Sequence, residues 1–138
     1  MVSTKQKKTI ELKDLRANIS VKNFESKGLS IKAFVLDRIK SKLPDDLVIG
    51  KTKKDNHSFF EIVAIKCQKE KEFLNSELPI LELIFRILLL RKNNPTKMKE
   101  LYRVISDELA TPYRPMTISM DQLISQISRD NYYSLVIL

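Results

Sequence analysis

LPILELIFRILLLRKNNPTKMKELYRVISDEL (residues 78–109) and TISMDQLISQISRDNYYSLVIL (residues 117–138) decide the fold of this chain. Pro79 suits the first turn of a helix. The helix it opens, residues 79–92, is apolar on nearly every side, through Ile80, Leu81, Leu83, Ile84, Phe85, Ile87, Leu88, Leu89 and Leu90. Such a helix is buried at the centre of a fold or in a dimer interface. Asn93-Asn94-Pro95 breaks it. Thr96 is then expected to cap a second helix running to Leu109, with Met98, Leu101, Ile105 and Leu109 on its core side. A rigid loop at residues 111–115 follows. Thr117 or Ser119 starts a third helix that ends near Arg129 and buries Ile118, Leu123, Ile124 and Ile127. Asp130-Asn131 is a turn, and residues 132–138 read as a strand.

The first half of the chain is different in character. Residues 1–8 read as a disordered basic lead-in. Residues 9–26 carry Ile10, Leu12, Leu15, Ile19 and Phe24 at a spacing more helical than strand-like, with Gly28 as the stop. Ser30 caps a helix over residues 31–43, whose apolar face is Ile31, Phe34, Val35, Ile39 and Leu43 and whose other face carries Lys32, Asp37, Arg38, Lys40 and Lys42. Pro44 ends it. Residues 47–49 and 59–65 are rich in β-branched and aromatic side chains and flank a polar stretch, so this region is read as a β-hairpin with a basic tip at Lys51, Lys53 and Lys54. The rival reading makes residues 58–74 one helix, through Phe60, Val63, Cys67, Lys71 and Leu74.

The expected fold is therefore α+β and mostly helical: a helical N-terminal part with a β-hairpin, then a three-helix C-terminal part. The expected organisation is a lead-in at 1–8, a basic module at 9–67, a charged connector at 68–77 and a C-terminal module at 78–138. The two modules could pack as one domain. Two glycines in 138 residues leave little room for a turn-rich all-β fold.

Charge points to a partner. The net charge is +8. Residues 1–74 hold 17 Lys/Arg against 10 Asp/Glu, and residues 75–138 hold 8 against 7, so the cationic character lies in the first half. Lys5, Lys7 and Lys8, the hairpin tip, and the stripe at residues 32–42 form three basic clusters, the footprint of a phosphate-rich partner.

Several chemistries are excluded or disfavoured. The chain has one cysteine and one histidine, too few N and S ligands for a structural zinc site. His57 reads as a solvated loop residue and Cys67 as a small buried one. Two glycines cannot build a Gly-rich phosphate loop, and no catalytic triad can be assembled. Asp45-Asp46 reads as part of a turn. The expectation is a non-enzyme with no cofactor and no metal. A single cysteine, no apolar leader after the basic residues 1–8, and no apolar run near the roughly 20 residues of a membrane span suggest a soluble cytoplasmic protein, or a nuclear one in a nucleated host.

Three helices with short breaks followed by a strand resemble a winged helix-turn-helix over residues 78–138. The resemblance implies that residues 117–129 form a recognition helix entering the major groove. Ser119, Gln122, Ser125, Gln126 and Arg129 would face the DNA, with Arg114 in the loop before them, and Lys32, Arg38, Lys51, Lys53 and Lys54 would add contacts from the basic half. It also implies a sheet with more than one strand, the missing one coming from the hairpin or from a second subunit. Tyr132 and Tyr133 would alternate on the strand, one ring in and one out; core packing or an interface contact is favoured for them over stacking of the outward ring on a base. The function expected is that of a DNA-binding regulator or accessory factor, homodimeric through helix 79–92. The alternatives are a protein-interaction module or assembly subunit, and an RNA binder using the basic hairpin.

Overall fold

The computed structural model describes residues 14–39, 56–110 and 117–138. In chain order these form β1 (Arg16–Ile19), α1 (Val21–Ser26), α2 (Ile31–Leu36), α3 (Asn56–Gln68), α4 (Ile80–Leu90), β2 (Thr96–Lys97), α5 (Met98–Arg103), α6 (Met120–Ser128) and β3 (Leu135–Ile137). The last turns of α5 widen into a π-helix, Val104–Leu109. The protein is α+β and mostly helical, as its sequence implies. Its one described sheet is antiparallel, in the order β2-β1-β3.

The central strand is the largest departure from expectation. Residues 9–26 read as one helix, yet Arg16–Ile19 is a strand and only Val21–Ser26 is helical. Ser20 divides them: its backbone is extended and its hydroxyl accepts from the Asn23 N–H at 3.1 Å, capping α1. Within β1, Ala17 and Ile19 face inward at 0% and 1% exposure while Arg16 is exposed. That alternation of period two was masked by Leu15 and Ile19, whose four-residue spacing also fits a helix. Ala17 pairs with Thr96 on one side and Ile137 on the other, so β1 is the strand that neither a hairpin nor a second subunit has to supply.

The expected hairpin gives way to a helix, as in the rival reading, though it ends at Gln68, before Lys71 and Leu74. Asn56–Gln68 is a helix that buries Phe59, Phe60, Val63, Ala64 and Cys67 at steps of three and four and packs along α4. Residues 47–55, with the basic tip, lie outside the described residues. His57 is the second residue of this helix and Cys67 lies in its last turn, so neither is on a hairpin. The helix expected over 31–43 is described as α2 and a turn at Asp37 and Arg38, with residues 40–43 outside. The stretch 68–77 is more than a linker, because Phe73 is buried within it.

In the second half the helices fall close to where they were expected. Thr96, however, belongs to β2 rather than to a cap, and its hydroxyl donates to the Asn94 carbonyl at 2.9 Å. Tyr132 and Tyr133 lie in the turn before β3, not on it, and both pack edgewise on Phe34. Alternation along a strand therefore does not set which ring faces outward.

One hydrophobic cluster runs through both halves, from Ala17, Phe24 and Val35 through Phe59 and Val63 to Phe85, Leu88, Leu101, Leu123 and Leu135. Within this single chain Leu83, Ile84, Phe85, Ile87, Leu88 and Leu89 of α4 are all 0–3% exposed. The apolar surface that argued for a second copy is thus covered by α3 and the sheet.

Candidate nucleic-acid interface

Helix α6 is built to hold its start rigid. The Ser119 hydroxyl accepts from the Gln122 N–H at 3.2 Å, and the Gln122 side-chain oxygen accepts from the Ser119 N–H at 2.8 Å, a reciprocal cap. Tyr102 of α5 donates its hydroxyl hydrogen to the Ile118 carbonyl at 3.0 Å and ties the start of α6 to the preceding helix. Leu123 and Ile127 are fully buried, which turns Gln122, Ser125 and Arg129 to solvent and leaves Gln126 half-buried. The α6 positions expected from sequence therefore sit on one helix, but Ser119 and Gln122 already serve as its cap. After α6, the Asp130 carboxylate accepts from the backbone N–H of Tyr132, Tyr133 and Leu135 at 3.1, 3.1 and 2.8 Å. Its charge is spent on the turn into β3.

Two of the expected cations of the basic half are described, and both are drawn into the fold. Arg38 is an internal residue. Its guanidinium donates to both oxygens of Glu82, at 2.7 and 2.9 Å, and to the Phe34 carbonyl at 2.8 Å. Its guanidinium carbon lies 3.9 Å from the Phe34 ring centroid, with the Phe85 and Tyr133 rings also close at 5.3 and 5.7 Å. Arg86 adds a second guanidinium to Glu82 at 2.8 Å and caps the Phe73 carbonyl at 3.0 Å. Burial pushes the Glu82 carboxyl up, but the hydrogen bonds from Arg38 and Arg86 outweigh it and hold the group below the usual carboxylate range. The same burial and the Glu82 charge push the Tyr133 phenol up to about 12. Lys32 is half-buried with its ammonium 5.8 Å from the Phe59 ring centroid. Lys51, Lys53, Lys54 and Arg114 lie outside the described residues.

One cationic surface among the described residues is one that sequence reading passed over. A cleft of about 610 Å³ opens beside β2, lined by Arg16, Arg91, Lys92, Lys97 and Glu100 among others. In sequence Arg91 and Lys92 closed the expected helix 79–92, Asn93 to Pro95 read only as its break, and Arg16 sat on an assumed helix. Their meeting is a consequence of sheet register, for which a single sequence carries no signal. Two residues of the connecting turn, Lys92 and Asn93, are left-handed at φ 60° and 57°. Asn93 clamps the turn to β1: its side-chain oxygen accepts from the Ile19 N–H at 2.7 Å and its amide donates to the Ile19 carbonyl at 2.9 Å. Glu100 is shared between Arg103 at 2.7 Å and Arg91 at 3.0 Å, and those bonds draw its carboxyl down to about 2.

No family model, no curated protein and no solved structure matches the chain. Among the described residues no group of three or more His, Cys, Asp or Glu side chains could hold a metal ion. Burial, with the charge of Glu70, pushes the Cys67 thiol up to about 12, far from a reactive thiolate. No helix among the described residues is long and apolar enough to cross a membrane.

Proposed function

We propose that this chain is a non-enzymatic nucleic-acid-binding protein, a regulator or accessory factor that docks on duplex DNA through α6. The observation that carries the reading is the outward side of α6, a helix fixed at its start by a reciprocal cap, with Ser125 and Arg129 exposed and Gln126 beside them. Gln suits the adenine edge, Arg suits guanine or phosphate, and Ser accepts either role. The order α4, β2, α5, α6, β3 supports the likeness to winged helix-turn-helix proteins, and β1 supplies the further strand which that likeness asks for. The net charge of +8 favours a polyanion as the partner. The lone, buried Cys67 suits a reducing compartment, the cytoplasm or a nucleus.

The test is a titration of duplex DNA against the wild type and a Ser125→Ala/Gln126→Ala/Arg129→Ala variant. The expected result is a loss of roughly 10-fold or more in affinity for a selected site, the scale of one good base contact. The melting temperature should hardly change, because none of the three side chains is fully buried. An unchanged affinity would remove α6 from the interface. Asp121 and Asp130 beside the single Arg129 favour a second reading, in which α6 meets a protein. In that case the triple variant would lose a protein partner and the wild type would bind no DNA.

A further inference from the structure

The cleft beside β2 joins two features that cost the fold stability. Arg16 and Lys97 stand directly opposite each other in the β1–β2 register. They lie on the exposed face of the sheet, since the next pair, Ala17 and Thr96, is buried. Like charges placed directly opposite across an antiparallel pair repel and weaken it. Neither side chain has a hydrogen-bond or ion-pair partner among the described residues, and the same holds for Lys92. Lys92 is the second costly feature. At φ 60° it occupies a conformation that suits Gly or Asn and that lysine rarely adopts. It is held there by the Asn93 clamp on Ile19. A glycine at 92 or an acid at 97 would relieve one of these strains, so stability does not account for the residues present.

We infer that this cleft holds a backbone phosphate of the bound nucleic acid, at a place separate from the α6 face. The inference rests on the nucleic-acid reading above. A phosphate oxyanion between Arg16 and Lys97 turns their mutual repulsion into two attractions. Arg16 offers a planar fork that suits two phosphate oxygens, and Lys92 and Lys97 offer point charges. Arg91 lines the same cleft, tied to Glu100, whose own charge is shared with Arg103. The four cations and one carboxylate leave the cleft positive.

The test is fluorescence anisotropy of the full chain with duplex and with single-stranded DNA over a salt series. The proteins are the wild type, Lys97→Glu, Lys92→Gly and a control, Lys69→Glu, which makes the same charge change at an exposed position after α3. The slope of log affinity against log salt should flatten by roughly 0.9 for each duplex phosphate that the variant no longer neutralises. Both cleft variants should show this flattening and melt no lower than the wild type, and Lys69→Glu should keep the wild-type slope. Flattening on both DNA forms marks backbone binding indifferent to strandedness, and flattening on duplex alone ties it to α6 docking; either supports the inference. Wild-type binding with an unchanged slope in the cleft variants, or an equal change in Lys69→Glu, overturns the cleft and leaves the wider reading standing. Absence of any wild-type binding at low salt overturns both.

Discussion

Glu82→Gln is expected to destabilise the fold by about 3–5 kcal/mol, the scale for breaking a buried ion pair from one side. The carboxylate holds two guanidinium groups at once, and the side chains of Arg38, Glu82 and Arg86 are only 10%, 10% and 16% exposed. A neutral amide would leave both cations charged, largely desolvated and short of an acceptor. The cluster also ties together α4, the turn after α2, and the 68–77 stretch through the Phe34 and Phe73 carbonyls. Urea denaturation measures the loss, and a cost under about 1 kcal/mol, the range of a surface pair, would show that the cluster holds little together. The pH dependence has a definite sign. The Glu82 carboxyl is held below its ordinary value of 4.5 in the folded protein. Its contribution is therefore complete above that value and is lost as pH falls through the lowered one. Acid should thus unfold the wild type more steeply than Glu82→Gln.

Deleting residues 1–19 is expected to abolish cooperative folding of the remainder, including the stretch 78–138 that reads as a module in sequence. Strands β2 and β3 each pair with β1 and not with each other, so without it the sheet has no ladder at all. Ala17 and Ile19 are also removed from the core. The missing ladder bonds and buried side chains together come to about 5 kcal/mol or more, comparable to the whole stability of many domains. Circular dichroism and urea titration of residues 20–138 are the measurement. A sharp two-state transition in that fragment would mean that β1 is an accessory strand rather than the centre of the fold.

What could be read from sequence was what depends on neighbours along the chain. Helices α4 and α6 were visible because Pro79, the Asn93-Asn94-Pro95 break and a helix start at Thr117 or Ser119 are local signals, and their apolar spacing is helical. Strand β1 was not visible, because four residues become a strand only by pairing with segments from the other half of the chain. Phe59 to Ile65 misled for a related reason: β-branched and aromatic side chains suit a strand, but the surface of α4 is what fixes their spacing as a helix. Arg38 looked like a surface cation because its acid, Glu82, is 44 residues away. The Arg16–Lys97 pair, likewise, exists only through register.

The central claim, that this chain binds nucleic acid through charge it presents to phosphate, is tested most directly by wild-type protein and a random DNA duplex at about 50 and about 200 mM salt. The account predicts measurable binding at the lower salt that weakens by on the order of 10-fold or more at the higher, as displaced counterions compete back onto the duplex. No binding at the lower salt, or binding indifferent to salt, would contradict it.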